Sequence, residues 1–501
     1  MGRSTPRLVK PTLDKDLDKI SYVEEASHYV SRSLAGPGIA LIFLVLAMIF
    51  AGVYVTHQSG AVVVIAGAAL AAYMAMNIGA NDVTNNIGAA VGARAMSMAV
   101  GLGIAAVFEI AGALIAGGHV ADTISNGIIN PDLMPGSEAL VWAMMAALLS
   151  SALWINLATW VGAPISTTHS IVGGVMGAGV AASGLSAINW TSMAGITASW
   201  VASPLLGGVI AAAFLWLIKE RIIYQPDKIA AARRWVPILI GTMAGAFATF
   251  LTLEGLSQVL SVSRLGASAT GIAVGLAVWR IMVPVIRHQS AGLENRNQSL
   301  RKLFQIPLIC SAALLSFAHG ANDVSNAIGP LSAIVHATQA HLVSERVQIP
   351  FWVMLIGAFG ISLGLLLYGP KLIRLVGEQI TKLNPMRAFC VALSAALTVI
   401  VASWFGLPVS STHIAIGAVF GVGFFREWYT RNARRRIDYM RVKAEHWDIE
   451  KRPESNPDEL RRRHLVRRSH FLTIIAAWVI TLPAAGSLAA LIYWLMVWLF
   501  V

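Results

Sequence analysis

Two stretches of this chain place groups capable of binding ions inside otherwise apolar sequence. Gly79-Ala80-Asn81-Asp82-Val83-Thr84-Asn85-Asn86-Ile87-Gly88 holds a carboxylate among amides and a hydroxyl, and Gly320-Ala321-Asn322-Asp323-Val324-Ser325-Asn326-Ala327-Ile328-Gly329 repeats it 241 positions later. An ionised carboxylate in an apolar layer is costly, so it must face a protein interior, a water-filled cavity or a bound cation. Asp82 and Asp323 are therefore candidate cation ligands and ion-coupling groups. Asn81, Thr84, Asn85, Asn322, Ser325 and Asn326 add donors and acceptors beside them as candidate substrate contacts. The flanking glycines allow a helix to break or to pack closely. A break is the expectation here, because it would expose amides that suit an anion and carbonyls that suit a cation. The alternative is a pair of buried aspartates that only cap helix breaks.

A second motif is also duplicated. Gly162-Ala163-Pro164-Ile165-Ser166-Thr167-Thr168-His169 returns as Gly406-Leu407-Pro408-Val409-Ser410-Ser411-Thr412-His413, offset by 244. Each proline favours a break followed by a new helix. Hydroxyls beside a helix amino terminus can hold a tetrahedral oxyanion without Lys or Arg. This matters because no Lys or Arg occurs between Arg94 and Lys219. Ser166, Thr167, Thr168, Ser410, Ser411 and Thr412 are thus candidate substrate contacts, with N-capping as the competing role. His169 and His413 are candidates for site support, as proton carriers or substrate contacts, set against bridging two helices through hydrogen bonds. Glu109 is a further candidate for coupling, set against a structural role, because the nearest counterpart in the second half, Phe359-Gly360-Ile361, has no acid.

The elements that must position these groups are membrane helices. The 501 residues are 56% hydrophobic and 12% charged, with a mean hydropathy of +0.68; soluble proteins carry about 25% charge. Apolar runs long enough to cross a bilayer recur from Leu41 onward. Strand alternation is absent, so the chain reads as an all-α polytopic membrane protein with about 12 segments. The expected divisions are an N-terminal extension at 1–36, a first span at 37–60 and a repeat at 61–218. Basic connectors and a central hairpin follow at 219–302, then a second repeat at 303–501 that contains the hydrophilic loop 426–470.

Loop charge orients the chain. Connectors 219–235, 287–302, 371–387 and 426–470 are basic and belong on the cytoplasmic side. The N-terminus is then cytoplasmic and the C-terminus extracytoplasmic. The non-basic loop 119–138 matches basic 370–387, and the neutral turn 183–189 matches basic 426–470. Equivalent loops on opposite faces mean inverted-topology repeats with interrupted helices, an arrangement common in secondary transporters. Loop 426–470, with 14 basic and 8 acidic residues, could also touch anionic lipid.

Several classes lose support. The net charge of +12 fits basic cytoplasmic loops rather than nucleic-acid binding. Cys310 and Cys390, both in apolar sequence, form no disulfide or metal framework. The first 36 residues hold no signal-peptide core. No phosphate-binding Gly-x-x-x-x-Gly-Lys-Ser/Thr loop is present. No nucleophile–base constellation supports an enzyme.

Taken with the paired Gly-Ala-Asn-Asp-Val motifs at 79–83 and 320–324 and the paired Pro-x-Ser-Ser/Thr-Thr-His motifs at 164–169 and 408–413, the chain resembles the inorganic phosphate transporters of the sodium-phosphate symporter type. The resemblance covers nearly everything beyond residue 36. It implies symport of inorganic phosphate with sodium or protons across the cell membrane, and no further cofactor. Phosphate would sit between the repeats, with Asp82, Asp323 and the hydroxyls contacting substrate and coupling ion, and with both aspartates as sodium ligands if sodium is that ion. Sulfate or another tetrahedral oxyanion is the alternative cargo, and an anion channel or phosphate receptor the alternative class. A homodimer is left open by the sequence.

Overall fold

The computed structural model describes residues 34–58, 60–163, 165–255, 262–339, 349–377, 383–432 and 468–500. Most of the N-terminal extension, Pro164 and the bulk of loop 426–470 lie outside the described residues. Apart from one bridge between Ile129 and Ile188, the regular structure among the described residues is helical. Among the described residues ten helices are long and apolar enough to cross a membrane, or eleven if one bent pair counts as a span. Their apolar residues run around the whole circumference, as expected of helices that face protein on one side and lipid on another. The protein is a multi-pass membrane protein.

The first half comprises α1 (Leu34–Val55), α2 (Ala61–Gly92), α3 (Met98–Ala116), α4 (Gly118–Asn126), α5 (Ser137–Val161), α6 (Thr167–Ser183) and α7 (Trp190–Ile218). A hairpin of α8 (Lys228–Glu254) and α9 (Arg264–Gln289) links it to the second half. There follow α10 (Asn297–Leu303), α11 (Gln305–Asp323), α12 (Ser325–Gln339), α13 (Phe351–Gly377), α14 (Pro385–Trp404), α15 (Ser411–Asn432) and α16 (Arg468–Phe500). Helices α6 and α15 begin among buried residues, and they account for the difference between about 12 expected segments and the ten or eleven full spans. The loop expected at 119–138 is largely α4, a short 3-10 turn and the start of α5.

The duplication appears as contacts that come in pairs with the halves exchanged. Helix α2 packs on α13, and α11 packs on α3; α6 packs on α16, and α15 packs on α7. A side chain added at Gly79 would collide with the Ile361 carbonyl, and one added at Gly320 would collide with the Glu109 carbonyl. Likewise Gly177 lies against Gly486, and Gly421 against Gly208. A two-fold relation between inverted repeats produces such doublets, with each repeat embracing the first helix of the other. The glycine contacts also set the register between halves. With Gly79 matched to Gly320, Ile361 is the counterpart of Glu109.

One expectation fails. Helix α2 runs unbroken through Asp82, and α11 passes into α12 through Val324 at φ −58°, ψ −32°, which is helical geometry. The reason is local. The Asn-Asp motif contains no proline, so no backbone donor is lost, and its leading glycine brings a neighbouring helix close instead of breaking its own. The true breaks are at the proline motifs. Helix α5 ends at Gly162 (φ +80°) and α14 runs out at Gly406 (φ +65°), a left-handed conformation that favours glycine.

Candidate substrate and ion site

After each break the chain crosses the interior and starts a new helix at a serine. Ser166 Oγ accepts from the His169 amide at 3.1 Å, and Ser410 Oγ accepts from the His413 amide at 3.3 Å. These two serines therefore act as N-caps of α6 and α15. The next residue in each helix points to its own repeat's aspartate. The Thr167 hydroxyl donates to Asp82 Oδ2 at 2.9 Å, and the Ser411 hydroxyl donates to Asp323 Oδ2 at 3.0 Å.

The third hydroxyl reaches across to the other repeat. Thr412 donates to Asp82 Oδ1 at 3.0 Å and receives the Asn85 amide at 2.8 Å. Its counterpart Thr168 donates to the Val409 carbonyl at 3.0 Å and receives the Asn326 amide at 3.3 Å. Asn81 and Asn322 tie the motif helices to the helices before the breaks, donating to Thr159 Oγ1 and Ser403 Oγ, each at 3.0 Å. Thr84 and Ser325 turn back to the carbonyls of Asn81 and Asn322 on their own helices rather than to the carboxylates. Both aspartates are buried, Asp82 at 0% exposure and Asp323 at 1%.

His169 and His413 meet each other, with ring centroids 4.5 Å apart, and His169 also lies 3.9 Å from the ring of Trp200. The Trp200 indole in turn donates to the Pro408 carbonyl at 2.9 Å. These ring contacts join α6 to α15 and to α7.

One group is not duplicated. His319, one turn before Asp323, puts Nδ1 3.2 Å from Glu109 Oε1 and Nε2 3.0 Å from Asp323 Oδ2 and 3.6 Å from Asp82 Oδ2. Asn86 donates to the same Glu109 oxygen at 2.6 Å. In the register of the repeat the counterparts of Asn86, Glu109 and His319 are Ala327, Ile361 and Ile78. A hydrogen-bonded polar triad on one side thus faces a purely apolar set on the other. His319 was missed from sequence because the flanking residues on its own helix are apolar; its i, i+4 spacing to Asp323 was the available signal. Asn86 was passed over because its counterpart is alanine.

Side-chain atoms of Asp82, His319 and Asp323 lie within 4.8 Å of one another, close enough to share one cation. The amino termini of α6 and α15 bring hydroxyls and positive dipole ends to the same centre. The site therefore combines groups for an oxyanion with groups for cations.

Comparison with known proteins agrees with this chemistry. A model described as the phosphate transporter family matches residues 78–489. A Helicobacter pylori (strain J99) protein named "Putative phosphate permease" is 42% identical, covering 95% of this chain and 98% of its own length. An Arabidopsis thaliana protein, inorganic phosphate transporter 2-1 of the chloroplast, is 32% identical over 84% of this chain and 70% of its own. Among solved structures, one titled as the sodium-dependent phosphate transporter superposes with a TM-score of 0.77 at 32% identity, covering 88% of this chain and all of that one. With its paired motifs folded around one centre and the family model spanning most of its length, the chain belongs to the phosphate transporter family.

Proposed function

We propose that the protein is a secondary active symporter that moves inorganic phosphate together with sodium or protons, with both bound at the centre described above. The observation that carries this reading is the gathering of three buried carboxylates, Asp82, Asp323 and Glu109, around the single imidazole of His319. With the carboxylates ionised, the cluster would hold more negative than positive charge even when the imidazole is charged. Buried charge without a partner is costly, and an approaching phosphate would add to the excess. Cations or protons must therefore enter with the anion, and this electrostatic requirement is the coupling.

Phosphate would be held by the hydroxyls of Thr167, Thr168, Ser411 and Thr412 at the starts of α6 and α15, with Asn85 and Asn326 alongside. The aspartates also favour phosphate over sulfate. At neutral pH phosphate keeps a proton to donate to a carboxylate, whereas sulfate has none, and a buried acceptor left unpaired costs about 1–3 kcal/mol. The sodium-dependent structural neighbour supports sodium as the cation. The two repeats would alternate access, with the N-terminus cytoplasmic and the C-terminus extracytoplasmic.

The test is uptake into proteoliposomes under imposed sodium or pH gradients, with arsenate and sulfate as competitors. Phosphate should accumulate above its external concentration only with the coupling gradient, and arsenate should compete better than sulfate. Flux that merely equilibrates phosphate would make the protein a channel, and binding without flux would make it a receptor.

A further inference from the structure

A cavity of about 440 Å³ opens beside the site. Its walls come from the first turns of α1, the last turn of α5, the end of α13 and the middle of α2. At the inner end lie Met76, Asn77 and Ala80, all buried, and Ala80 directly precedes the Asn81-Asp82 pair. At the outer end are exposed Trp160 and Lys371. Thr159 lines the cavity while its hydroxyl receives the Asn81 amide, so the cavity wall and the site share a hydrogen bond.

Pro37, Ala40, Leu41, Leu44 and Leu372 make much of the lining apolar, and a strip of polar groups runs along one wall. The Asn156 amide donates to Asn77 Oδ1 at 3.1 Å, and Asn77 donates to the Tyr73 carbonyl at 2.9 Å. Tyr73, Tyr368 and Lys371 extend this lining toward the mouth, and no carboxylate is among the described residues that form it. That strip offers amides, hydroxyls and one ammonium, which suits an anion moving along it.

The equivalent place in the other repeat is built differently. By the register of the halves, Tyr73, Asn77 and Asn156 correspond to Leu314, Ala318 and Ile400. Met76 corresponds to Phe317, which stacks edge-on against Phe247 and Phe250 of α8 at 4.9 and 6.2 Å. Lys371 corresponds to His119, which lies 3.4 Å from Glu254. The polar strip of one repeat therefore has an apolar and aromatic counterpart in the other, with a His119–Glu254 contact where the first carries Lys371.

We propose that this cavity is a second, transit site for inorganic phosphate, where the ion pauses between the central site and the face that carries Lys371. The proposal rests on the reading of the protein as a phosphate transporter. Lys371 supplies the charge at the mouth, and Asn156 and the Asn77 ladder replace water as the ion moves inward. The site lies outside the aspartate centre, so it sets affinity on one face without setting coupling.

The experiment compares wild type with Lys371→Gln and with Asn156→Ile, the residue that the other repeat carries. Radiolabelled phosphate flux is measured from each face in proteoliposomes of neutral phosphatidylcholine and, separately, of lipid with anionic phosphatidylglycerol. Both variants should raise KM for phosphate about fivefold from the Lys371 face, equivalent to roughly 1 kcal/mol, and leave KM from the opposite face and the cation dependence unchanged. Phosphate, but not chloride, should also protect a Lys371→Cys thiol from a membrane-impermeant reagent. Equal KM on both faces in all three proteins, with no protection, overturns the transit site while leaving the symporter reading standing. An effect seen only with anionic lipid assigns the cavity to a lipid headgroup and likewise overturns it. A wild-type protein that carries no phosphate at all removes the symporter reading first, and the transit site with it.

Discussion

The two halves of this protein differ most where they look most alike. Around Asp82 and Asp323 most contacts come in pairs, Thr167 with Ser411, Asn85 with Asn326 and Thr159 with Ser403, but of the third hydroxyls only Thr412 donates to an aspartate, whereas Thr168 donates to a carbonyl. One helix turn away the match ends. Asn86, Glu109 and His319 form a polar triad, whereas Ala327, Ile361 and Ile78 occupy the equivalent places. The symmetric part suits a substrate that must be met equally by both repeats when access alternates. The asymmetric part adds one histidine and one extra carboxylate to a single side, and charge of that kind belongs with the coupling ion. On the function proposed above, substrate binding and coupling would fall in two regions that share only the aspartates.

The largest effect should come from the residues that the two regions share. Asp82→Asn or Asp323→Asn removes a carboxylate from a buried charged cluster, a change worth roughly 3 kcal/mol or more, so coupled uptake should fall about a hundredfold or more. Gradient-driven uptake at the wild-type rate in both variants would show that neither aspartate carries the ion. A smaller and more selective effect is expected in the asymmetric region. Glu109→Gln should leave phosphate–phosphate exchange within a fewfold of wild type but lower accumulation under a cation gradient by about tenfold, the scale of a charged hydrogen bond of roughly 1.5 kcal/mol. If exchange and accumulation fall together, the separation of substrate from coupling is wrong. The smallest effect should be in stability. Thr168→Val and Thr412→Val each remove the cross-repeat hydrogen bonds of one hydroxyl, about 1 kcal/mol per bond, and Thr412→Val should lower Tm in detergent further, because only Thr412 donates to a carboxylate. Equal losses would mean that the contact between Thr412 and Asp82 adds nothing to stability.

Much of the site could be read in the sequence because it is written twice. Repetition at offsets of 241 and 244 picked out Asp82, Asp323 and the hydroxyl clusters, and opposite loop charges revealed the inversion. Residues that occur once were harder to see. His319 and Asn86 have apolar counterparts, so pattern matching between halves passed over them, and Glu109 stood out only as a charge in an apolar run. The shape of the motif helices was misread for a related reason. Glycine permits both a break and a close approach, and the choice between them depends on what packs against it. The carbonyls of Ile361 and Glu109 made that choice at Gly79 and Gly320.

The amino-acid sequence by itself determined that the chain is helical, crosses the membrane many times and carries an inverted duplication, because hydropathy, backbone satisfaction in lipid and loop charge are properties of segments. Only the tertiary structure decided which hydroxyl caps, which bonds its own aspartate and which crosses to the other repeat. It also decided that Glu109, His319 and both aspartates meet at one point. Those assignments join residues up to 330 positions apart, and such distances close only when each repeat folds around the other.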